Sequence, residues 1–505
     1  MASRVRLAKV YTGYAEGLDG RIYEIETAIT PGIPYFDVIG MCDSSIRESG
    51  GRIKAALITS GFDFPKGRIT VSISPAYVKK TGSSFDLPIA ICILLASGQL
   101  ILEQGKKIYA EGELSLNGMV KGTPGASVRL NTEEVYDYCL IPEDETSSVM
   151  TDRAFMSVSH LRNITDPLID VWYDPQTISP DIRLSEDPDD IPDLSEIKGQ
   201  PKALRSVLIA ASGWHNLLLL GSPGCGKSSC GKMISGIMPP MTLQEARHVM
   251  LINESIGTNN NKTIPKRPSF YIHPGITATR LTGSSAKLIP GEFSLADQGI
   301  LFADELCEYK SDILDLMRIP LEEHKIRLVK DGISHEFPAD FLFVGAGNPC
   351  RCGMLYETDE VCTCTPAVRK RYLGKLSGPF LDRIDLFCEM RSIKGEDLKK
   401  ITSKENKELN RIMRDQVKSA WQIQEERYKD LGIRFNGRYD GADSEILRSD
   451  SKTIDYASDV AQKAGFSARG FCKLLRVGRT IADLDLRADM TIQDISEAAV
   501  YRRRI

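Results

Sequence analysis

The sequence predicts an α/β protein whose core is a parallel sheet, set between an N-terminal α+β domain and a C-terminal helical domain. Three observations predict this fold class. The apolar run Asn216–Leu220 leads directly into a glycine-rich loop and then a helical pattern. Strand-like and helix-like segments alternate from residue 197 to 392, which is typical of a parallel sheet. Strands such as Arg68–Ser74 mix with amphipathic helices upstream, and the chain downstream is charged and helical.

Changes in composition predict four segments along the chain. Residues 1–173 form the N-terminal domain, and residues 174–196, rich in Pro, Asp, Glu and Ser, form an acidic linker. Residues 197–392 form the core, which carries a four-cysteine insert at 350–364, and residues 393–505 form a helical lid.

The glycine-rich loop reads G-S-P-G-C-G-K-S and fits the phosphate-loop pattern G-x-x-x-x-G-K-[ST]. Its glycines let backbone N–H groups point at phosphate oxygens, and the helix that follows adds its positive dipole end. An ordinary glycine-rich turn is the alternative, but the strand–loop–helix order favours ATP binding with Mg²⁺. Lys227 is predicted to reach the β- and γ-phosphates and Ser228 to ligate Mg²⁺. The predicted nucleotide contacts in this loop are Gly221, Ser222, Pro223, Gly224, Cys225, Gly226, Lys227, Ser228 and Ser229.

Hydrolysis of a bound triphosphate also needs a metal-binding carboxylate, a base for water and polar groups near the γ-phosphate. The segment Gly299–Glu305 is an apolar strand that ends in two carboxylates. Asp304 is predicted to hold Mg²⁺ and Glu305 to polarise water, although an acidic pair can instead cap the next helix. A second apolar strand ends at Asn348, which either orients the water or is a turn residue.

Bulk composition narrows the class of protein. The chain has 505 residues and a net charge of −4, so any nucleic-acid contact must come from a local basic patch. The start of the chain lacks the apolar core of a secretion signal, and the longest apolar stretch, Leu87–Ala96, is too short to cross a bilayer. We therefore expect a cytoplasmic protein without a membrane contact, in which the twelve cysteines are free or bound to metal.

Several motifs resemble those of one ATPase family. Lys227, Asp304–Glu305 and Asn348 resemble the Walker A, Walker B and sensor 1 motifs of AAA+ ATPases. The residues around these motifs are similar to those of the magnesium-chelatase-like AAA+ family, and within it to those of the ComM/YifB type. The similarity extends over nearly the whole chain. The segments that carry it are Phe36–Gly40, Pro65–Pro88, Pro290–Ala296, Asn348–Cys350, Ser377–Asp385, Ala468–Gly470 and Arg479–Leu484.

The resemblance implies a homo-hexameric ring with ATP bound between subunits. In such rings Arg383 stands at the arginine-finger position and Arg469 at the sensor 2 position; without the resemblance, each would be read as a surface ion pair. The sequence departs from the family pattern in two places. Ala303 replaces a large aliphatic residue, and His273 is the one histidine left of a usual pair, so we assign it no catalytic role.

Four cysteines fall within fifteen residues, in the pattern C-x-C-x₉-C-x-C. Thiolates grouped in this way suit a structural Zn²⁺ ion, although C-x-C is tighter than the usual spacing. Unligated thiols in a loop are the alternative, and a reducing compartment disfavours disulfides. The predicted ligands are Cys350, Cys352, Cys362 and Cys364.

The N-terminal domain resembles the Lon-protease fold as this family uses it. A Lon-type enzyme needs a serine activated by a lysine. Ser84 is the nearest match to the nucleophile, but the stretch Gly122–Val128 holds no lysine where the partner is expected. We therefore predict a non-proteolytic domain.

The segment His324–Ile333 alternates and contains Asp-Gly, which predicts a β-hairpin with a type I′ turn. Lys325, Arg327 and Lys330 are then candidates for DNA phosphate contacts, since a hairpin at this place lines the pore in ring helicases. A charge-protected edge hairpin is the alternative. The basic group Arg369–Arg371 is weaker evidence, because Tyr372 is its one neighbouring aromatic residue.

These observations predict an ATP-driven hexameric AAA+ motor that moves on DNA, such as a branch-migration helicase of the ComM type. A chaperone-like motor for metal insertion, as in magnesium chelatase, is the second hypothesis. An ATP-dependent protease and a slowly hydrolysing ATP switch remain as further alternatives.

Overall fold

The computed structural model describes residues 6–80, 82–123, 125–145, 155–164, 200–257, 266–357, 361–392 and 403–502, with the side chains of 403–408 left out. The predicted linker 174–196 lies outside these residues, as do residues 358–360 of the cysteine insert and the start of the predicted lid. The chain divides into two compact units, Met1–Ser185 with Met250–Ile264, and Glu186–Val249 with Pro265–Ile505. Within the described ranges, no helix combines the length and apolar character that a membrane crossing requires.

The first unit is built on a mixed seven-stranded sheet. The predicted strand Arg68–Ser74 is present with those bounds. In spatial order the strands are Tyr35–Ile39, Arg68–Ser74, Asp19–Thr30, Arg6–Glu16, Ile108–Ala110, Tyr138–Pro142 and Met156–Val158. The helices are Ser44–Thr59, Asp86–Ser97 and Ala126–Leu130, with a short ladder between Glu113–Leu114 and Val120–Lys121 and a 3₁₀ turn at Leu161–Asn163.

The apolar stretch Leu87–Ala96 lies in the helix Asp86–Ser97, whose residues are nearly all buried. A helix that is apolar on every side belongs inside a core. This one packs against the strands Arg6–Glu16 and Asp19–Thr30. Its carboxylate at the first position, Asp86, is buried and accepts two hydrogen bonds from Arg52, at 2.9 and 3.1 Å.

The second unit is built on a five-stranded parallel sheet. In spatial order the strands are Ser269–Ile272, Ile300–Ala303, Leu342–Gly347, Leu217–Gly221 and Leu386–Met390. The four neighbouring pairs all run parallel. Every residue of Leu217–Gly221 and Leu342–Gly347 is buried, which explains their continuous apolar sequences. This confirms the predicted α/β core.

Helices and short ladders complete the second unit. The helices are Pro201–Gly213, Lys227–Ile237, Ala278–Thr282, Glu292–Leu295, Ser311–Leu316, Arg318–Glu323, Pro366–Leu373, Gly378–Leu381, Ser403–Tyr428, Ser451–Ala464, Ala468–Leu484 and Ile492–Val500, while Leu243–Ser255 spans the limit between the units. Two-stranded ladders join Gly283–Ser284 to Ile289–Pro290, and Lys325–Lys330 to Ile333–Pro338. Single 3₁₀ turns lie at Leu306–Glu308, Lys429–Leu431 and Asn436–Arg438.

The C-terminal helices share one hydrophobic core with the parallel sheet. Trp421 packs near Trp214 and donates from Nε1 to the Ala211 carbonyl at 3.0 Å. The rings of Trp214 and Phe435 stack with centroids 4.8 Å apart. The predicted core and the predicted lid therefore pack as one unit, and the boundary between them stays a prediction.

Close packing between the sheet and the helix Lys227–Ile237 makes Gly231 sensitive to substitution. A Cβ added there would lie 2.0 Å from the Phe302 ring. We expect Gly231→Ala to lower the free energy of unfolding by about 1–3 kcal/mol, because a packed ring must move. Chemical denaturation measures this change. The matched control is Gly378→Ala, where an added Cβ meets nothing within 4 Å; equal losses in both variants would contradict the explanation.

Candidate functional site

The phosphate loop connects the strand Leu217–Gly221 to the start of the helix Lys227–Ile237. Gly224 and Gly226 have φ angles of 75° and 92°, a region that residues with a Cβ rarely adopt. A Cβ added to either glycine would meet nothing within 4 Å, so both face open space. A glycine loop that opens onto a helix N-terminus is a geometry that accepts phosphate.

The Lys227 ammonium lies within this loop. Its Nζ donates to the carbonyl oxygens of Gly221 and Ser222, at 2.8 and 2.7 Å. It also lies 3.3 Å from Asn348 Oδ1. Asn348 follows the strand Leu342–Gly347, which pairs in parallel with the strand that precedes the loop. Because parallel strands end at the same edge of a sheet, the structure brings the predicted lysine and the predicted asparagine together.

Ser228 and Asp304 also meet at this edge. The Ser228 hydroxyl donates to Asp304 Oδ2 at 2.7 Å. Asp304 directly follows the strand Ile300–Ala303, whose parallel partner is Leu342–Gly347. Hydroxyl and carboxylate oxygens are ligands that Mg²⁺ prefers. The donor atoms therefore fit Mg²⁺, and the loop and its lysine fit a triphosphate.

Glu305 has an unusual backbone conformation. Its φ and ψ are 51° and 45°, and its N–H donates to Asp304 Oδ1 at 2.9 Å. A left-handed conformation in a non-glycine residue costs roughly 1 kcal/mol or more and often marks a functional site. The side chain is exposed, and within the described ranges its carboxylate accepts no hydrogen bond. It therefore remains available to a water molecule.

The other loop residues differ in exposure. Pro223 is exposed, whereas Cys225 is completely buried. Burial raises the pKa of the Cys225 thiol, so this group packs as a small apolar side chain. Ser229 is half-buried in the first turn of the helix. The hydroxyl of Ser222 donates to the carboxylate of Glu357.

Arg383 and Arg469 lie together, but not beside the phosphate loop. Both donate to the carboxylate of Glu322, Arg469 at 2.7 Å and Arg383 through a shorter contact. The backbone carbonyl of Arg383 accepts from the side-chain amide of Asn216 at 2.9 Å. Asn216 precedes the strand Leu217–Gly221, whereas the phosphate loop follows it. The two arginines therefore lie at the end of the strand away from their own phosphate loop.

A cavity of about 380 Å³ opens beside these arginines. Its lining includes cationic and acidic side chains, so the arginines face charged partners as well as solvent. These residues are Glu322, Asp382, Arg383, Asp385, Arg438, Asp440, Arg469, Lys473 and Arg476. Burial raises the pKa of Glu322, but the two arginines outweigh this effect and lower it overall. Glu322 is therefore ionised at neutral pH and pairs with both.

The predicted hairpin is present, with paired strands Lys325–Lys330 and Ile333–Pro338. Asp331 and Gly332 have φ angles of 51° and 79°, as a type I′ turn requires. Glu336 accepts from Lys325 at 2.8 Å and from Arg327 at 2.9 Å. These two cations are thus neutralised on the hairpin surface.

The tip of the hairpin differs from its base. Within the described residues Lys330 makes no ion pair, unlike Lys325 and Arg327. Beside it, Val329 is 55 % and Ile333 is 54 % exposed. The tip therefore presents an ammonium group beside two apolar side chains and the exposed acidic residue Asp331.

The four cysteines of the insert converge. Sγ of Cys350 lies 3.4 Å from that of Cys352 and 3.6 Å from that of Cys362. All four sulfur atoms, including that of Cys364, lie within 4.8 Å of one another. These separations exceed a disulfide bond, which is about 2.05 Å long. They are near the roughly 3.8 Å between ligands of a tetrahedral Zn²⁺ with Zn–S bonds of about 2.3 Å, so the donor set fits that ion.

Ser84, the candidate Lon-type nucleophile, is 9 % exposed and lies just before the helix Asp86–Ser97. The Lys80 ammonium is occupied elsewhere, because it donates to the Pro75 carbonyl. In the described part of the chain no hydrogen bond joins the Ser84 hydroxyl to a lysine or histidine. Pro124, within the stretch Gly122–Val128, lies outside that part. His273 is exposed.

Sequence reasoning missed two carboxylates of this unit. Glu322 pairs with both arginines, and Glu357 accepts from the phosphate loop. Neither belongs to a motif, and each is separated by many residues from the groups it contacts. The motifs at the strand ends could be recognised from the sequence. The contacts of Glu322 and Glu357 could not, because they depend on how distant segments pack.

Comparisons with known proteins show which family this chain resembles. Three family models match the chain: the magnesium chelatase subunit ChlI model over residues 193–398, a second model for subunit ChlI of Mg-chelatase over residues 25–144, and the C-terminal ChlI model over residues 407–502. The uncharacterized protein YifB of Salmonella typhimurium is 33% identical over 512 residues, covering 98% of this chain and 97% of YifB.

Two further relatives align with very different shares of this chain. The competence protein ComM of Haemophilus influenzae is 32% identical over 508 residues, covering 99% of this chain and 98% of ComM. The magnesium-chelatase 38 kDa subunit of Rhodobacter capsulatus is 25% identical over 173 residues, covering 31% of this chain and 49% of that subunit. The chain belongs to the magnesium-chelatase-like AAA+ family, with full-length relatives of the ComM and YifB type.

Proposed function

We propose that this protein is an ATP-hydrolysing AAA+ ring motor that acts on DNA. One observation carries the ATPase part of the proposal. Lys227 pairs with Asn348, and Ser228 with Asp304, at the edge where three parallel strands end. A lysine, a metal-binding hydroxyl and carboxylate, and a polar amide are the groups that phosphoryl transfer needs.

The roles of the side chains follow from their positions. Lys227 exchanges its two carbonyl partners for phosphate oxygens, which is favourable because the ammonium then pairs with anionic rather than neutral acceptors. Ser228 and Asp304 would hold Mg²⁺, and that ion neutralises charge on the phosphate oxygens. Glu305 accepts a proton from the attacking water, and Asn348 orients that water.

The arginines support a ring in which neighbours complete each site. Arg383 and Arg469 lie at the opposite end of their own strand, so they are better placed for a phosphate on an adjacent subunit. A homo-hexamer supplies each site with these cations in trans. On binding, the neighbour's phosphates would replace Glu322 as the anionic partner.

DNA is the proposed load, with branch migration as the activity. The full-length similarity to competence protein ComM supports this choice, as does the ammonium of Lys330 at the hairpin tip, which makes no ion pair with any described residue. A motor for metal insertion is the second candidate, since ChlI models match the chain, but the Rhodobacter capsulatus subunit aligns with 31% of this chain whereas ComM aligns with 99%. A protease is disfavoured because, among the described residues, no lysine or histidine forms a hydrogen bond with the Ser84 hydroxyl. We further propose that the four cysteines hold a structural Zn²⁺ ion.

Glu305→Gln should keep nucleotide binding and lower the rate of ATP hydrolysis by about 100-fold or more, because the amide cannot accept the proton. Filter binding and phosphate release measure the two quantities on the full chain. Lys227→Ala is the control that should lose binding itself. Unchanged turnover in Glu305→Gln would exclude this residue as the base.

Mixing two inactive variants tests the sharing of sites. Arg383→Ala should lower hydrolysis by at least about 100-fold, and Lys227→Ala should abolish it. In equal mixtures, about one quarter of interfaces pair an intact loop with an intact Arg383, so hydrolysis should return. Phosphate release from the mixture, compared with each variant alone, measures this. Absence of recovery in rings that do exchange subunits would mean that Arg383 acts within its own chain.

Forked, single-stranded and duplex DNA should each be compared with no DNA in the ATPase assay. We expect stimulation, and we expect Lys330→Ala to reduce it several-fold while basal hydrolysis stays the same, because its ammonium contacts phosphates. Lys452→Ala changes an exposed lysine on the helix Ser451–Ala464, away from the hairpin, and is the matched control. If no DNA stimulates the wild-type protein, the DNA part of the proposal is wrong.

A further inference from the structure

The first part of the cysteine insert, residues 350–357, packs directly against the phosphate loop. Gly353 has φ of 83°, and a Cβ added there would lie 2.5 Å from Pro223 Cδ. The N–H of Gly353 donates to the Cys350 carbonyl at 3.0 Å, which makes a tight turn between two of the thiols. The turn at residues 350–353, which contains Cys350 and Cys352, is therefore the part of the insert that contacts the phosphate loop.

Glu357 links the same insert to two other segments. Its Oε1 accepts from the Ser222 hydroxyl and from the Ser392 N–H, the latter at 2.8 Å. Ser392 stands two residues beyond the strand Leu386–Met390, where the chain leaves the sheet. One carboxylate therefore holds the phosphate loop, the insert and the outgoing chain in one arrangement.

The charge of Glu357 is maintained by these contacts. Burial raises the pKa of this carboxyl, but hydrogen bonds from Ser222 and Ser392 outweigh it and lower the pKa overall. The group is a carboxylate at neutral pH. It does not pair with Lys227, whose ammonium stays on the Gly221 and Ser222 carbonyls. Glu357 thus contacts the loop without occupying the cation that is to meet phosphate.

The cysteines determine whether Glu357 can stay in place. Cys350 is completely buried and comes two residues after Asn348, so one side of the insert is anchored at the sheet edge. The other side, with Cys362 and Cys364, approaches Cys350 and Cys352 through the sulfur atoms. A bound cation would join the four sulfur atoms through coordination bonds, which protonated thiols do not provide. Without the cation, the turn at Gly353 and the position of Glu357 lose this support.

We propose that the cysteine insert, closed by a tetrahedral thiophilic cation, positions the phosphate loop through Glu357, so that release of the cation weakens nucleotide binding. The inference rests on the proposed ATP site and adds a link between metal occupancy and that site. The hydroxyl of Ser222 is held by Glu357, which reduces the entropy that the loop loses when a nucleotide binds.

The first test compares two substitutions at one position in the full chain. Glu357→Ala removes both hydrogen bonds and should weaken binding of a fluorescent ATP analogue by about tenfold. Glu357→Gln keeps an accepting oxygen and should bind nearly as well as the wild type. Both should retain about one zinc per chain by elemental mass spectrometry. Val361→Ala is the control, since Val361 lies in the same insert and is 87 % exposed.

The outcomes distinguish a Glu357 carboxylate that positions the phosphate loop from one that repels the nucleotide. If Glu357→Ala and Glu357→Gln both bind the analogue more tightly, the carboxylate opposes nucleotide and the inference is overturned. Unchanged affinity in Glu357→Ala also overturns it, while loss of binding in Lys227→Ala would still support the ATP site. If DNA fails to stimulate ATP hydrolysis, only the proposal that the motor acts on DNA is contradicted.

The second test removes the cation from the wild-type protein. A thiol reagent with a chelator should release the metal and weaken analogue binding by a similar factor, and thiol reduction with added Zn²⁺ should restore both. In Glu357→Ala, removal of the metal should cause little further loss, because the link is already broken. Purified chain without metal that binds the analogue at full affinity would refute the coupling.

Discussion

The hydrogen bond from Ser228 to Asp304 joins residues that are 76 positions apart in the chain. It forms because the strand Leu342–Gly347 lies between Leu217–Gly221 and Ile300–Ala303 and pairs in parallel with both. That single buried strand fixes the separation of the phosphate loop from the acidic strand end, and it delivers Asn348 to the same edge. The complete burial of the strand makes its register costly to shift, since a slip would expose apolar side chains.

The two ends of the sheet carry different parts of the proposed chemistry. The carboxyl end gathers the phosphate loop, Asp304 and Asn348, while the amino end of Leu217–Gly221 lies beside Arg383. A strand of five residues spans roughly 17 Å, which is too far for Arg383 to reach a phosphate on its own loop. In a ring, this arrangement would let each subunit present its phosphate loop to one neighbour and its Arg383 to the other.

Carboxylates outside the motifs control the positions of these groups. Glu322 pairs with both arginines, and Glu357 contacts the phosphate loop from the cysteine insert. Each shares its charge between two partners and therefore couples segments that the motifs treat as separate. The proposed motor would change these contacts when nucleotide binds: phosphates compete with Glu322 for the arginines, whereas the Glu357 contact is compatible with an occupied loop.

Local chemistry allowed much of this molecule to be predicted from sequence. The glycine loop, the apolar strands that end in Asp304 and Asn348, and the Asp-Gly hairpin all depend on neighbouring residues, and their backbone geometry follows directly from residue type. The spacing of the four cysteines likewise predicted a cluster. The neutralisation of Lys325 and Arg327 by Glu336 was less accessible, because it requires the register of the two hairpin strands.

What the sequence determined by itself is therefore the chemistry of the strand ends, since a phosphate loop, a carboxylate pair and a thiolate cluster each need particular residues at short spacing. The tertiary structure decided which of these groups meet. It separated Arg383 and Arg469 from their own phosphate loop, and it placed Glu357 beside Ser222. These contacts join segments far apart in the chain, and their formation depends on strand order and packing around one buried sheet.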